Sequence, residues 1–231
     1  MAEFLNTAFN GFDGGVFNAM HNLAVGAGGF FTPFFKIITL LGEKGILFIL
    51  AGLVLLCFAK TRKIGVCMIG AIAIGAIITN ITLKPLVARA RPFTDSQFTG
   101  FWEYVGSPAE SENSFPSGHT TSIMAFATAM FITCNKKWSW VWFVATILMG
   151  ASRIYLIAHY TTDVIAGIIV GGIAGVFAFF ITKLIYKIVE KNKDKKFFKF
   201  VLEFDVASLF TKKEKAVQEE QEVQAEQTIE E

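Results

Sequence analysis

"IGVCMIGAIAIGAIITNITL", residues 64–83, holds twenty residues without a charge between Arg62-Lys63 and Lys84. A helix crosses the hydrocarbon core of a bilayer with about 20 mostly apolar residues. Only a helix or a closed barrel can do so without stranding backbone N–H and C=O groups in lipid. The stretch is read as a membrane span, and its neighbours repeat the pattern. Gly45–Ala59 is charge-free and stops at "KTRK". Gly118–Asn135 stops at Lys136-Lys137. The run after Lys137 is charge-free to Ser152 and stays apolar past Arg153 to Ala158. Val164–Thr182 is the last such run. These are five spans. Gly14–Phe35 is also charge-free and is expected to be a sixth, although it contains His21, Pro33 and several glycines. The fold class is therefore all-α: a polytopic membrane helix bundle of about six transmembrane helices.

Composition agrees. Of 231 residues 53% are hydrophobic, 14% aromatic and only 17% charged, where a soluble domain carries about a quarter charged residues. Cys57, Cys67 and Cys134 all fall in apolar runs with no metal-site spacing, so they are read as small buried apolar side chains. The opening "MAEFLNTAFNGFDGG" has no basic region of the kind that starts a cleavable signal peptide. The net charge of +2 matters less than its distribution. Alternate connections hold twelve Lys and Arg on one side, from Lys60 to Lys199, and six on the other: Lys36, Lys44, Lys84, Arg89, Arg91 and Arg153. The richer side is expected to be cytoplasmic, with both termini there and the long loop Ala88–Phe115 outside. Trp138, Trp140 and Trp142 suit an aromatic belt at the cytoplasmic end of the fifth span. Residues 1–187 form the transmembrane unit and 188–231 a cytoplasmic tail, basic then acidic. Residues 197–210, "FFKFVLEFDVASLF", suit an amphipathic helix on the membrane surface. The final "QEEQEVQAEQTIEE" is expected to be disordered.

Three stretches interrupt the apolar pattern: "KPLVARARP" at 84–92, "PSGH" at 116–119 and "SRIYLIAHYTTD" at 152–163. They lie far apart in sequence, yet the span order puts all three at one membrane level on one side. Lys84 and Arg91 are seven apart, two helical turns if Pro85 leaves the helix intact, and Arg153 adds a third cation. Fixed cations, arginine above all, suit a phosphate. Ser117 is an expected N-cap, with the N–H groups of Gly118 and His119 opening a helix whose terminus favours anions. His159 and Asp163 are four apart, so in a helix the carboxylate would hold the imidazole and its tautomer. A histidine oriented in this way is a nucleophile or base, and His119 is placed to act as general acid. Arg153 and His159 are six apart, about 240° around an ideal helix, so the helix is expected to end between them, near Ala158 to Thr162. Outside these stretches, Arg89 is read as a snorkelling side chain and His21 as structural.

At these residues the sequence resembles the type 2 phosphatidic acid phosphatase (PAP2) superfamily, marked by K-x6-RP, PSGH and SR-x5-H-x3-D. Here they read Lys84 to Arg91-Pro92, Pro116 to His119, and Ser152-Arg153 to His159 to Asp163. The resemblance covers roughly residues 40–185. It implies a lipid phosphatase that needs no metal or other cofactor. His159 would attack phosphorus to form a phosphohistidine, Asp163 would orient it, and His119 would protonate the leaving oxygen and then activate water. Lys84, Arg91, Ser117, Gly118 and Arg153 would hold the phosphate oxygens.

The compact length resembles the bacterial members, which makes undecaprenyl diphosphate at the outer face of the plasma membrane the first expected substrate. Phosphatidylglycerophosphate or phosphatidic acid is the alternative. The expected partners are the lipid substrate and membrane lipids, with no nucleic acid. Vanadate-dependent haloperoxidases share the motifs but are soluble, which the spans oppose. A lipid-binding or transport protein on this scaffold is the rival of a different class. Transport predicts ionisable residues at mid-span, which most of the spans lack.

Overall fold

In the computed structural model, which describes residues 1–208, the stretch 64–83 is helical throughout but changes gauge. Helix α1 is Ala2–Ala8, α2 Asn10–Gly26, α3 Phe31–Leu41 and α4 Ile46–Leu56. Helix α5, Arg62–Ala76, widens into a π-helical segment over Ile77–Leu83 and tightens again into α6, Lys84–Val87. The wide segment holds Thr79, Asn80 and Thr82, and Thr82 Oγ1 donates to the carbonyl of Ile77 five residues back. Such insertions mark functional sites in many helices; here the segment leads directly to Lys84. Then follow α7 (Thr99–Val105), α8 (Gly118–Thr133), α9 (Lys136–Ser139), α10 (Val141–Tyr155), α11 (Thr161–Lys191) and α12 (Lys196–Glu203).

Helix α8 is the axis of the bundle and packs against α5, α10 and α11. Its approach to α11 depends on Gly167, Gly171 and Gly175, spaced four apart on one face of α11. A Cβ on Gly167 would lie 2.8 Å from the Ser117 carbonyl oxygen, and one on Gly171 would lie 2.5 Å from that of Thr121. The two backbones are in van der Waals contact, the geometry that small residues at four-residue spacing permit in membrane helices. The core beside this seam is filled by Phe48, Met68, Ile72, Ile123, Phe126 and Met149 with small alanines between them. The outer face of α11 exposes Ile165, Ile169, Phe177, Phe180, Leu184 and Ile188. A soluble protein would cover so large an apolar surface with protein.

Among the described residues two helical stretches, Arg62–Thr94 and Thr161–Lys191, are long and apolar enough to cross a membrane; α3 and α4 make a third if their 43° bend lies within one span. Helices α8 and α10, at 16 and 15 residues, run beside them but are shorter than the expected spans.

The helix expected over Gly14–Phe35 is broken. Gly28 and Gly29 take positive φ, which glycine adopts without strain, and they turn the chain between α2 and α3. Helix α3 runs antiparallel to α10, with Thr32 Oγ1 2.9 Å from Tyr155 Oη and Thr39 Oγ1 3.0 Å from Ser152 Oγ. Helix α2 stays beside the loop helix α7, where His21 stacks on Phe101 at 3.9 Å between ring centroids. Asn6 and Asp13 both bond to Arg89, near the start of α11. The N-terminal segment and the C-terminal end of α11 therefore lie at opposite ends of the bundle. Both termini were expected on one side; the C-terminus itself lies outside the described residues.

Of the amphipathic helix expected over 197–210, residues 209 and 210 lie outside the described residues; residues 197–203 fall in α12, with Phe197 and Phe200 exposed. Arg62 bonds to its last carbonyls, those of Val201 and Phe204. The acidic stretch at the C-terminus lies outside the described residues. Cys67 is buried as expected, whereas Cys57 is exposed.

Candidate active site

The three polar stretches converge at one end of the bundle. The first does so in a different form from that expected. Helix α6 ends at Val87, Ala88 adopts the left-handed conformation (φ 50°) and Arg91 is extended. Lys84 and Arg91 are therefore not two turns apart on one helix. They approach the same loop from a helix and from the strand-like segment after it. Lys84 Nζ pairs with the Glu112 carboxylate, while Arg91 Nε donates to the Glu112 carbonyl (2.8 Å).

The third stretch breaks as its spacing predicts, although earlier. Helix α10 ends at Tyr155, and Ile157 takes positive φ. The N–H groups of Ala158 and His159 both reach back to the Arg153 carbonyl, at 3.0 and 3.3 Å. The turn brings Arg153 and His159, six residues apart, within electrostatic reach of each other.

His159 is buried. Its Nε2 lies 2.9 Å from Arg91 Nη1, which also donates to the Ala158 carbonyl. A guanidinium can only donate, so Nε2 is the unprotonated nitrogen and the proton sits on Nδ1. That nitrogen faces Asp163 Oδ2 and Ser114 Oγ, each at 3.5 Å. Asp163 is also the third residue of α11 and accepts from the Tyr160 N–H (3.1 Å), closing a capping box. It therefore caps the helix and faces His159 at once. Burial, then Arg91 and Arg153, hold the His159 imidazole well below its ordinary value of 6.5 against the pull of Glu110. It is neutral at physiological pH.

Ser117 occupies the N-cap position of α8, but its hydroxyl bonds to Thr120 Oγ1 (3.0 Å) rather than to the backbone. The N–H groups that open α8 thus carry no side-chain cap. The Ser117 N–H donates to the Asp163 carbonyl (3.0 Å), tying the start of α8 to the start of α11. Gly118 follows, and His119, half-buried, has an Nε2 without a partner among the described residues. Arg91, Arg153, Lys84 and Glu110 lie within electrostatic reach of its ring.

Several further residues are in place that sequence reading missed. Glu110 bridges Arg91 Nη2 (2.7 Å) and Arg153 Nη2. Burial raises its carboxyl, but Arg153 and Arg91 pull harder and set it at about 2. With Glu112 on Lys84, the three cations of the cleft are met by loop carboxylates. Ser114 donates to Asp163 Oδ2 at 2.5 Å. Arg89, expected to snorkel, is instead 1% exposed and bonds to Asp163 Oδ1 at 2.7 Å. The sequence marks Arg89 as surplus, since only two of the three basic side chains between Lys84 and Arg91 fit the motif, but it does not mark it as buried.

A sequence model described as the PAP2 superfamily matches residues 64–192, more than half of the chain. The protein belongs to that superfamily. An undecaprenyl-diphosphatase of Sulfolobus acidocaldarius is 32% identical over 118 residues, 51% of this chain and 54% of that protein. A lipid A 4'-phosphatase of Porphyromonas gingivalis is 32% identical over 135 residues, 56% of this chain and 57% of that protein. The chain thus spans little more than half the length of these curated relatives. Among solved structures, the PAP2-type phosphatidylglycerolphosphate phosphatase of Bacillus subtilis has the same fold, at TM-score 0.50 and 22% identity over 84% of this chain and 99% of that one. The family match contains all eight motif residues. It excludes α1 to α4, and with them Asn6, Asp13 and Thr39.

Proposed function

We propose that this membrane protein is a metal-independent lipid phosphate phosphatase that works through a phosphohistidine. The observation that carries the reading is the state of His159: a neutral imidazole with its Nδ1 proton facing Asp163 and its Nε2 lone pair facing Arg91. In the reaction Nε2 forms a bond to phosphorus as the bond to the lipid oxygen breaks. His119 gives a proton to that oxygen. It then takes one from water, which cleaves the N–P bond, releases phosphate and restores His159. Lys84, Arg91 and Arg153 with the N–H groups of Gly118 and His119, which carry no side-chain cap, match the charge that builds on the equatorial oxygens. Ser117 offers its hydroxyl to the same oxygens.

Undecaprenyl diphosphate is the first substrate proposed, supported by the activity named for the Sulfolobus relative. Lipid A phosphate and phosphatidylglycerophosphate are the alternatives, supported by the other two names. The site end carries the poorer share of Lys and Arg, which supports an extracytoplasmic site and a cytoplasmic tail. The test is phosphate release by the detergent-purified protein, with EDTA present, from undecaprenyl diphosphate, phosphatidylglycerophosphate, phosphatidic acid and lipid A. Release unaffected by EDTA supports the reading, and the fastest substrate assigns the lipid. No release from any of them by a folded protein refutes catalysis and leaves a lipid-binding role.

On this reading Glu110 competes with the substrate, because Arg91 and Arg153 cannot hold its carboxylate and a phosphate at once. Its charge persists through the physiological pH range, so protonation does not clear the cleft. Glu110→Gln should tighten inhibition by orthovanadate, a phosphate analogue, by roughly 10-fold, equivalent to about 1.4 kcal/mol, and should lower KM. Weaker vanadate inhibition would instead show that Glu110 organises the two arginines for the ligand.

A further inference from the structure

Of the three cations between Lys84 and Arg91, Arg89 alone points away from the cleft. Its guanidinium is enclosed by five partners. Nη1 donates to Asp163 Oδ1 and Thr162 Oγ1, both at 2.7 Å; Nη2 donates to Asp13 Oδ2 (3.0 Å); and Nε donates to Asn6 Oδ1 (2.8 Å). The ring of Tyr160 lies 3.7 Å from its central carbon. Asp13 is buried in turn and accepts the N–H and hydroxyl of Thr162, at 2.9 and 2.8 Å. An unpaired charge at this depth would be severely destabilising, so each member requires the others. The result is a continuous chain, Asp13 to Arg89 to Asp163 to His159. It begins in a helix outside the region matched by the family model and ends at the nucleophile of the proposed reaction.

We propose that Arg89 is a positioning residue for that reaction and Asp13 its counter-charge, the two together setting the orientation and basicity of His159 through Asp163. The inference rests on the phosphatase reading. Arg89 occupies Oδ1 of Asp163, which leaves Oδ2 to His159, Ser114 and the Tyr160 N–H. A guanidinium on a carboxylate draws its charge and weakens its hold on an imidazolium; Asp13 offsets that draw. Stacking on Tyr160 and the two-carboxylate fork fix the plane, which a lysine cannot reproduce.

The groups that bear on His159 independently of these two positions are Arg91 after α6, Glu110 after α7, His119 on α8 and Arg153 on α10; Asp163 on α11, which faces His159 at 3.5 Å, is the group through which the two act. The signs of the two effects are therefore opposite. Asp13→Asn removes a negative charge, destabilises the protonated imidazole and shifts the acid limb of kcat/KM to lower pH. Arg89→Gln removes a positive charge and shifts it to higher pH. Each shift is expected to be roughly half a unit to one unit. Arg89→Lys keeps the charge and should leave the limb in place while kcat falls about 10- to 100-fold through lost orientation. The double variant R89Q/D13N removes both charges and should return the limb towards wild type. In all four KM should stay within about twofold, because neither residue contacts the phosphate.

The experiment is the pH dependence of kcat/KM for the full chain in detergent, on undecaprenyl diphosphate and phosphatidylglycerophosphate side by side, with thermal melts of every variant. Opposite limb shifts in D13N and R89Q establish the relay. If R89Q does not fold, the downward shift in D13N and the kcat loss without a limb shift in R89K establish it. Wild-type activity with D13N and R89K both unchanged overturns this inference alone. A folded wild type that neither releases phosphate nor binds vanadate overturns the phosphatase reading and this inference with it.

Discussion

His159→Ala is expected to reduce phosphate release by about 10⁴-fold or more, the scale of loss when a covalent nucleophile is removed from an enzyme. The protein should melt normally, since the imidazole can be lost from the turn Leu156–Tyr160 without disturbing the α8–α11 seam. The companion substitution His119→Ala should behave differently. A general acid contributes about 10²- to 10⁴-fold, and less where the leaving group departs readily unprotonated. The H119A defect should therefore be large on phosphatidic acid, which expels an alkoxide. It should be smaller on undecaprenyl diphosphate, which expels a phosphate monoester. Water attack on the phosphohistidine also needs His119 as base, so with ³²P-labelled diphosphate H119A should accumulate an acid-labile, alkali-stable label on the protein. H159A should accumulate none. If H159A keeps more than about one per cent of the wild-type rate, or if label appears on it, His159 is not the nucleophile.

The contrast between these two histidines and Arg89 shows what the sequence made legible. Lys84, Arg91, Ser117, Gly118, His119, Arg153, His159 and Asp163 could be named because each sits at a fixed spacing inside a short stretch, and because span order alone brings the stretches to one level. Their convergence at one end of the bundle was therefore readable without knowing any side-chain geometry. Arg89 was not, because its meaning depends on Asp13, 76 residues away, and nothing local connects them. An arginine beside a membrane span has an ordinary explanation in snorkelling, and only burial overturns it. Glu110 and Glu112 were missed for a related reason: the cations were read against a substrate phosphate, not against the carboxylates of their own loop. The bundle was legible from charge-free runs, but where it departs from straight helices was not. The π-helical segment over Ile77–Leu83, where Thr79 bonds to Thr121 of α8, and the positive-φ turn at Gly28-Gly29 leave no mark in a hydropathy profile.

Gly171→Leu should destabilise the protein by about 3 kcal/mol or more, the upper range for overpacking, and abolish activity in whatever fraction still folds. The argument is geometric. A Cβ at Gly171 would already lie 2.5 Å from the Thr121 carbonyl oxygen, 2.7 Å from Met124 Cβ and 3.0 Å from the Ala125 nitrogen. Two of those three atoms are backbone in the middle of α8, so the neighbour cannot rotate away and the helices must separate. Separation is transmitted to the site, because Gly167 touches the Ser117 carbonyl one turn nearer the cleft and the Ser117 N–H is bonded to the Asp163 carbonyl. His119 is on one helix of this pair and Asp163 on the other. A shift of about 1 Å between catalytic groups costs on the order of 10² in rate even where the fold survives. The neighbouring Gly172 supplies the control. A Cβ there meets only the flexible end of Met124, at 3.6 Å, so Gly172→Ala should melt at or slightly above the wild-type temperature, helped by the better helix propensity of alanine, with activity unchanged. Equal effects at 171 and 172 would mean that the seam does not set the distance between the two halves of the site. A loss confined to 171 would show that glycine on α11 fixes where the two histidines stand.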